Sequence, residues 1–117
     1  GSDGLDEVSI TGETYCAELK NGSISEFSIK PSDIDLPIAK ISEIIGGQPK
    51  ENAKKILELF NGKKNAFRDV VILNTASALV ATGNSNNLEE AALMSIKSID
   101  EGKALLKLEQ LVDITNS

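Results

Sequence analysis

The chain has 117 residues, of which 40% are hydrophobic and 26% charged, a composition typical of one folded domain rather than of a disordered segment. Its formal charge is −6 and Arg68 is its single arginine, which argues against a nucleic-acid partner, because such partners require clustered lysine and arginine. Histidine is absent and Cys16 is the single cysteine, which excludes His-assisted catalysis, a His-ligated metal and an internal disulfide within these residues. No apolar run reaches the roughly 18 residues that cross a bilayer, and a lone cysteine is consistent with a cytoplasmic protein.

The first third of the chain predicts a β-hairpin. Two short runs with aromatic and β-branched residues, 14–19 and 24–29, flank an Asn21-Gly22 pair. Asn-Gly between such runs is a strong hairpin signal, because both residues tolerate the positive φ angles of a two-residue turn. Side-chain alternation predicts one inward face formed by Tyr15, Ala17, Leu19, Phe27 and Ile29, with Glu18 and Glu26 directed outward.

Residues 31–47 predict a connector. Pro31, Pro37 and the Gly46-Gly47 pair interrupt regular structure and leave space for one helical turn at residues 41–45.

Helices are predicted for the remainder of the chain. Pro49 occupies the first-turn position of a helix, and Asn87 with Glu90 resembles a capping box. The helix from residue 67 is almost uncharged and is expected to lie buried within a larger body. The four helices begin at Pro49, Phe67, Leu88 and Lys103 and end near Asn61, Thr82, Gly102 and Ile114. Their predicted inward faces carry Ala53, Ile56, Leu57 and Phe60 in the first, Leu88, Ala91, Ala92, Ser95, Ile96 and Ile99 in the third, and Leu105, Leu108, Leu111 and Val112 in the fourth.

The predicted fold class is therefore α+β, a β-hairpin followed by about four helices. We divide the chain, as part of one domain, into strands and hairpin (1–30), connector (31–47) and helical part (48–117).

The adjacent carboxylates of Asp6 and Glu7 are the candidate metal ligands. Mg²⁺ takes oxygen ligands, usually one or two protein carboxylates, and completes its shell with water and substrate phosphates. Neighbouring side chains of a regular strand point to opposite faces, so a shared cation requires a loop or a kink at a strand end, which Gly4 permits. The alternative is a solvated surface pair. Because no phosphate-binding segment precedes the pair in this sequence, we expect the chain to be part of a longer protein.

Three other groups have polar side chains in suggestive places. The hydroxyl-rich residues 9–14 either contact phosphates or form an ordinary loop. Asn74, within the apolar second helix, needs hydrogen-bond partners and is expected to find them in nearby backbone rather than in a ligand. Arg68 and Asp69 are expected to form an ion pair or a cap, with a phosphate contact by Arg68 as the alternative.

Taken together, a series of segments in this sequence resembles the C-terminal part of anthranilate phosphoribosyltransferases. No single segment is specific, but they cover nearly the whole chain in order. They are Gly4-Leu5-Asp6-Glu7-Val8-Ser9, Thr11-Gly12-Glu13-Thr14, Ala17-Glu18-Leu19-Lys20-Asn21-Gly22, Gly46-Gly47, Pro49-Lys50-Glu51-Asn52-Ala53, Arg68-Asp69-Val70-Val71-Ile72-Leu73-Asn74, Leu88-Glu89-Glu90-Ala91 and Ile99-Asp100-Glu101-Gly102-Lys103-Ala104.

The resemblance implies a function and a fold. That family transfers the phosphoribosyl group of phosphoribosyl pyrophosphate to anthranilate in tryptophan biosynthesis, releasing pyrophosphate. Its members pair a small helical domain with a large α/β domain, as related nucleoside phosphorylases do, and are usually homodimers. This chain would be part of the large domain. Asp6 and Glu7 match the acid pair of the family. In that family the pair binds the Mg²⁺ that contacts the pyrophosphate of the substrate.

On this interpretation the glycine-rich phosphate-binding loop, the helical dimer domain and the anthranilate pocket would lie upstream. The chain alone is then expected to be inactive and to bind Mg²⁺ weakly. Two alternatives stay open: a stand-alone, non-catalytic module that binds a protein partner, and part of a related nucleoside phosphorylase. Gly1-Ser2 is either native or the remnant of a tag.

Overall fold

The chain folds as a β-hairpin, a short connector and a layer of helices, and the computed structural model describes residues 1–117. The fold confirms the predicted α+β arrangement of a hairpin followed by helices. The strands are β1 (Thr14–Lys20) and β2 (Ser23–Ile29), followed by a short 3-10 helix (Pro31–Ile34). The α-helices are α1 (Ile41–Ile44), α2 (Pro49–Phe60), α3 (Ala66–Ala81), α4 (Leu88–Asp100) and α5 (Lys103–Thr115).

The hairpin turn forms where the Asn-Gly pair predicts it. Asn21 and Gly22 have φ angles of 52° and 77°, and the antiparallel pairing runs from Lys20 opposite Ser23 outward. Two positive φ angles in succession match the right-handed twist of the flanking strands, which explains why this dipeptide sets the turn.

The predicted inward face of the hairpin is confirmed for Phe27 and Ile29 in β2 and wrong for Tyr15, Ala17 and Leu19 in β1. The two-residue turn places Cys16 opposite Phe27 and Tyr15 opposite Ser28, so Tyr15 and Phe27 lie on opposite faces of the sheet. Tyr15 and Leu19 are 77% and 73% exposed. The face directed toward the helices carries Thr14, Cys16, Glu18, Phe27 and Ile29, and the outer face carries Tyr15, Ala17, Leu19, Ile24 and Glu26.

The core lies where α3 packs against α4. Ala76 and Ala91 are both fully buried, and such small side chains allow the two helices to approach closely. The predicted inward face of α4 is confirmed in most positions, since Ala91, Ala92, Ser95 and Ile99 are buried. The core cluster consists of Leu59, Ile72, Ala76, Ala91, Ala92 and Ile99.

The outer helices bury less than their sequences predict. In α2 the buried residue is Leu59, whereas the predicted Ile56 and Leu57 are exposed. In α5 no residue is buried, and Leu111 and Val112 are also exposed. Helices α2 and α5 pack against α4 and against each other. Helical periodicity identifies the apolar face of each, but only part of that face is covered within this chain.

Two asparagines cap the helices that form the core. Asn65 accepts a hydrogen bond from the Arg68 N–H at 3.0 Å, and Asn87 accepts one from the Glu90 N–H at 2.8 Å. The predicted Asn87 cap is confirmed, although the return bond from the Glu90 side chain is not formed. None of the helices combines the length and the apolar character that crossing a bilayer requires.

Replacing Ile72 by alanine tests the core. Ile72 is a buried member of the core cluster in α3, so we expect Ile72→Ala to lower the free energy of unfolding by about 2–5 kcal/mol through lost apolar burial and the cavity left behind. Leu93→Ala is the matched control, because Leu93 is 66% exposed on α4 and its truncation should cost within about 0.5 kcal/mol. Urea denaturation curves that show equal losses for the two variants would contradict this core.

Candidate functional site

Asp6 and Glu7 lie in the loop of residues 1–13, before β1 begins. The loop contains no strand, and Gly4 has a φ angle of 84°, which turns the chain just ahead of the pair. Both residues are exposed, and neither carboxylate forms a hydrogen bond or an ion pair with the rest of the chain. The expectation that the pair occupies a loop rather than a strand is confirmed.

The side chain of Asn74 holds this loop immediately after the acid pair. Its Nδ2 donates to the carbonyl oxygen of Val8 at 2.9 Å, and the Val8 N–H donates back to Oδ1 at 2.9 Å. The same Nδ2 donates to the carbonyl oxygen of Val70, one turn earlier in α3, at 2.9 Å. Asn74 therefore bonds backbone, as expected, but its main partner lies 66 residues away in sequence rather than nearby.

A second set of contacts, centred on Asp3, holds the loop from the other side. Asp3 Oδ2 accepts hydrogen bonds from the hydroxyls of Ser9 at 2.6 Å and Thr11 at 2.8 Å. Its Oδ1 accepts from the Leu5 N–H at 3.1 Å, which closes a tight turn across Gly4. These bonds, that from Ser9 foremost, lower the pKa of Asp3 from 3.8 to about 2, because they stabilise the ionised carboxylate.

Asp3, which holds the loop in place, was not predicted from the sequence. Its signal is the glycine that follows it, because aspartate and glycine are both typical of side-chain-closed turns.

The hydroxyl-rich residues 9–14 form part of an ordinary loop, because the hydroxyls of Ser9, Thr11 and Thr14 bond to other residues of that loop. Ser9 and Ile10 are 2% and 0% exposed, and the Ile10 carbonyl accepts a hydrogen bond from the Ala39 N–H at 3.0 Å. The acid pair lies between two fixed points of the chain.

The donor set of this loop fits Mg²⁺. Carboxylate oxygens are ligands that Mg²⁺ prefers, and both Asp6 and Glu7 are free to turn toward a cation because no lysine or arginine pairs with them. Nowhere in the chain do three or more His, Cys, Asp or Glu side chains lie close enough together to hold a metal ion. A cation here would therefore take most of its ligands from water or from a bound molecule.

A small cavity of about 180 Å³ beside the loop does not supply a phosphate site. Leu5, Ile44, Phe67 and Val70 contribute to its wall, and no lysine or arginine lines it. An anion needs such cations or a set of free N–H groups. Cationic side chains that could hold an anion opposite Asp6 and Glu7 are not among the residues around this cavity.

Arg68 has a structural partner. Its Nη2 lies 2.8 Å from Asp100 Oδ1, so the start of α3 is joined to the end of α4. The expected pairing with Asp69 is wrong, and burial raises the pKa of Asp69, with Arg68 opposing that rise. Arg68 is buried with Nη1 unpaired, which leaves it no exposed surface for a phosphate.

A larger groove of about 490 Å³ separates the hairpin from α3. Cys16 and Phe27 line one side, Val80 and Ala81 line the other, and most of the lining is apolar. Burial raises the pKa of the Cys16 thiol, which keeps it protonated and unreactive. The groove offers packing surface rather than ionic chemistry.

The Asp3 contacts predict an acid-sensitive loop. Because its folded pKa is lowered to about 2, ionised Asp3 stabilises the fold above pH 4, and this stabilisation is lost as the pH falls from about 4 to about 2. Asp3→Asn removes the titrating charge. The difference in unfolding free energy between the wild-type chain and this variant should therefore be constant above pH 5 and shrink toward pH 2.

Asp113→Asn is the control for this titration, because Asp113 is exposed near the end of α5 and forms no hydrogen bond. Its replacement should leave the pH profile of stability close to that of the wild-type chain. A wild-type advantage over Asp3→Asn that is as large at pH 2 as at pH 5 would show that the Asp3 carboxylate is not held in this way.

Comparison with known proteins gives consistent matches over the chain. The profile described as glycosyl transferase family, a/b domain, matches residues 1–105. The anthranilate phosphoribosyltransferase of Parvibaculum lavamentivorans is 47% identical over 116 residues, which cover 99% of this chain and 34% of that protein. The solved structure of anthranilate phosphoribosyltransferase from Saccharomyces cerevisiae in complex with PRPP and Mg has a TM-score of 0.87 at 30% identity, covering 97% of this chain and 33% of that one. The same yeast protein in complex with 4-fluoroanthranilate gives a TM-score of 0.86 at 31% identity.

This chain spans about a third of the length of the curated relatives it matches. The similarity confirms the resemblance that the sequence segments indicated, and the structural agreement confirms the expected large-domain fold. On the match over residues 1–105, the chain belongs to the glycosyl transferase family, and those residues correspond to its a/b domain.

Proposed function

We propose that this chain is part of an enzyme that transfers the phosphoribosyl group of phosphoribosyl pyrophosphate to the amine of anthranilate, and that Asp6 and Glu7 hold its Mg²⁺. The observation that carries the proposal is a pair of carboxylates without protein partners, on a loop whose main chain is fixed on both sides by Asp3 and Asn74. A cation site completed by its substrate requires this arrangement, because the ligands must be oriented yet uncommitted.

The chemistry explains why acids are needed here. The reaction breaks the bond between the ribose anomeric carbon and pyrophosphate and forms a bond to the anthranilate nitrogen. Positive charge develops on the sugar and negative charge on the departing pyrophosphate. Bound Mg²⁺ supplies Lewis-acid stabilisation of that negative charge. Asp6 and Glu7 bind and orient the cation, and their freedom from lysine and arginine leaves their full charge for it.

The relatives support the choice of substrates. The yeast anthranilate phosphoribosyltransferase, which shares this fold, has been solved with PRPP and Mg and with 4-fluoroanthranilate. At 47% identity to the Parvibaculum lavamentivorans protein, the same transfer is the simplest function for a protein that contains this chain.

The remainder of the site is assigned to polypeptide outside these residues. The cavity beside the loop has no cationic lining, and the chain corresponds to 34% of its bacterial relative. We therefore assign the phosphate-binding and anthranilate-binding walls to the other two thirds of the enzyme. A homodimeric parent and a cytoplasmic location stay predictions.

A chimera tests the function directly. These 117 residues would replace the matching third of the Parvibaculum lavamentivorans enzyme, and turnover would be measured with PRPP, anthranilate and Mg²⁺. We expect an active chimera. Asp6→Asn and Glu7→Gln should each lower kcat/KM by about 100-fold or more and raise the Mg²⁺ concentration needed for half-maximal rate, because one charged ligand is lost.

The matched control is the double variant Glu89→Gln with Glu90→Gln, another adjacent pair of exposed acids, at the start of α4. It removes more charge than either single variant but lies in the first turn of a helix, so activity should stay within about twofold while the melting temperature falls slightly. A chimera that melts cooperatively yet produces no phosphoribosylanthranilate would refute the proposed transfer.

The isolated chain provides a separate test. Two carboxylates without substrate phosphates make a poor magnesium site, so we expect a dissociation constant for Mg²⁺ on the order of millimolar or weaker. No turnover should occur with both substrates present. Calorimetry that gives a low micromolar constant, or measurable product from the 117 residues alone, would show that the site is complete within this chain.

A further inference from the structure

We infer that Asn74 is the positioning residue of the loop of residues 1–13, called the acid loop below because it carries Asp6 and Glu7. Its paired bonds to the main chain of Val8 set the orientation of these two residues toward a divalent cation. This inference rests on the proposed function, because it assigns Asn74 a role in the same cation site. Asn74 is not proposed as a ligand, because its amide is occupied by the main chain of Val8 and Val70.

The geometry of the contact is that of a strand pairing made by a side chain. The carboxamide of Asn74 donates to the Val8 carbonyl and accepts from the Val8 N–H, both at 2.9 Å. Two antiparallel bonds to one residue restrain both its position and the orientation of its peptide planes. Glu7 precedes that residue directly, so the restraint acts on the peptide that joins Glu7 to Val8.

The third bond makes the side chain itself rigid. Nδ2 also donates to the carbonyl of Val70 at 2.9 Å, so both hydrogens of the amide are used. Asn74 therefore has one orientation rather than a set of rotamers, and it sits in the middle of a 16-residue helix whose other face packs on α4. The loop is therefore held by the longest helix of the chain, which packs against α4.

The contact between Asn74 and Val8 lies where the exposed part of the acid loop passes into its buried part. Asp6 and Glu7 are exposed, Val8 is half-buried, and Ser9 and Ile10 are 2% and 0% exposed. A loop that only needed anchoring is already anchored at Ser9 and Ile10 through Thr14 and Ala39. The pair of hydrogen bonds between Asn74 and Val8, called the clamp below, limits the unrestrained segment to Asp6 and Glu7. This restraint reduces the conformational entropy that is lost when a cation binds.

Asn74→Ser separates the clamp from the helix. Ser77 and Ser95 in this chain each donate to the carbonyl four residues earlier, at 2.8 and 2.9 Å, so a serine at position 74 can retain the bond to Val70. It is too short to reproduce both bonds to Val8. Asn74→Ala is the second variant, since alanine is the strongest helix former and keeps α3 intact. Ser77→Ala, one turn further along α3, is the control because its hydroxyl bonds only within the helix.

The first readout needs no catalysis. Mn²⁺ would be titrated into the isotopically labelled 117-residue chain, and paramagnetic broadening of the Asp6 and Glu7 amide signals followed, together with hydrogen exchange of the Val8 amide. We expect both Asn74 variants to speed Val8 exchange and to require about 10- to 100-fold more Mn²⁺ for equal broadening. Ser77→Ala should match the wild-type chain in both measurements.

The second readout uses the chimera. The Asn74 variants should raise the Mg²⁺ requirement by about 10-fold or more while kcat recovers at saturating Mg²⁺, which a loss of stability alone would not produce. Folded Asn74 variants that bind Mn²⁺ as the wild-type chain does would overturn the positioning role. If Asp6→Asn and Glu7→Gln also leave the Mn²⁺ broadening and the Mg²⁺ requirement unchanged, the proposed cation site itself fails, and the two failures are thereby distinguished.

Discussion

The two hydrogen bonds between the Asn74 carboxamide and the Val8 main chain join the acid loop to the helical body. The proposed cation site makes two opposed demands on this loop. Its carboxylates must have no partner within the protein, and yet the loop must keep one conformation. Main-chain bonds meet both demands, because they fix the backbone and leave the side chains of Asp6 and Glu7 uncommitted. On the opposite side of the pair, Asp3 restrains the loop through the Leu5 N–H and the Ser9 hydroxyl.

The clamp is only as rigid as the helix that carries it. Val70 and Asn74, one turn apart, face the loop, whereas Ile72 and Ala76 lie on the opposite side and pack in the core with α4. Helix α3 is thus held along its core face while its other face presents the amide. The ion pair between the buried Arg68 and Asp100 joins the start of α3 to the end of α4. The single arginine of the chain therefore has a structural role.

Local signals predicted the elements, and partners distant in sequence determined what they face. The Asn21-Gly22 turn and the Asn87 cap were read correctly because the required residues are adjacent or three apart. The inward face was predicted correctly for β2 but not for β1, since the register set by the turn pairs Tyr15 with Ser28 rather than with Phe27. The loop position of Asp6 and Glu7 was predicted from Gly4 and the pair itself. The Val8 contact of Asn74 spans 66 residues and leaves no pattern in the sequence.

The clamp recognises Val8 through atoms that every residue except proline possesses. Position 8 can therefore change its side chain over evolutionary time at little cost to the acids beside it, provided that the half-buried space is filled. Position 74 has no such latitude: glutamine is one methylene too long for the same geometry, and ionised aspartate has no hydrogen to donate. Mutational tolerance at the two ends of one contact should thus be strongly unequal, with the invariant member in the helix and the variable one in the loop.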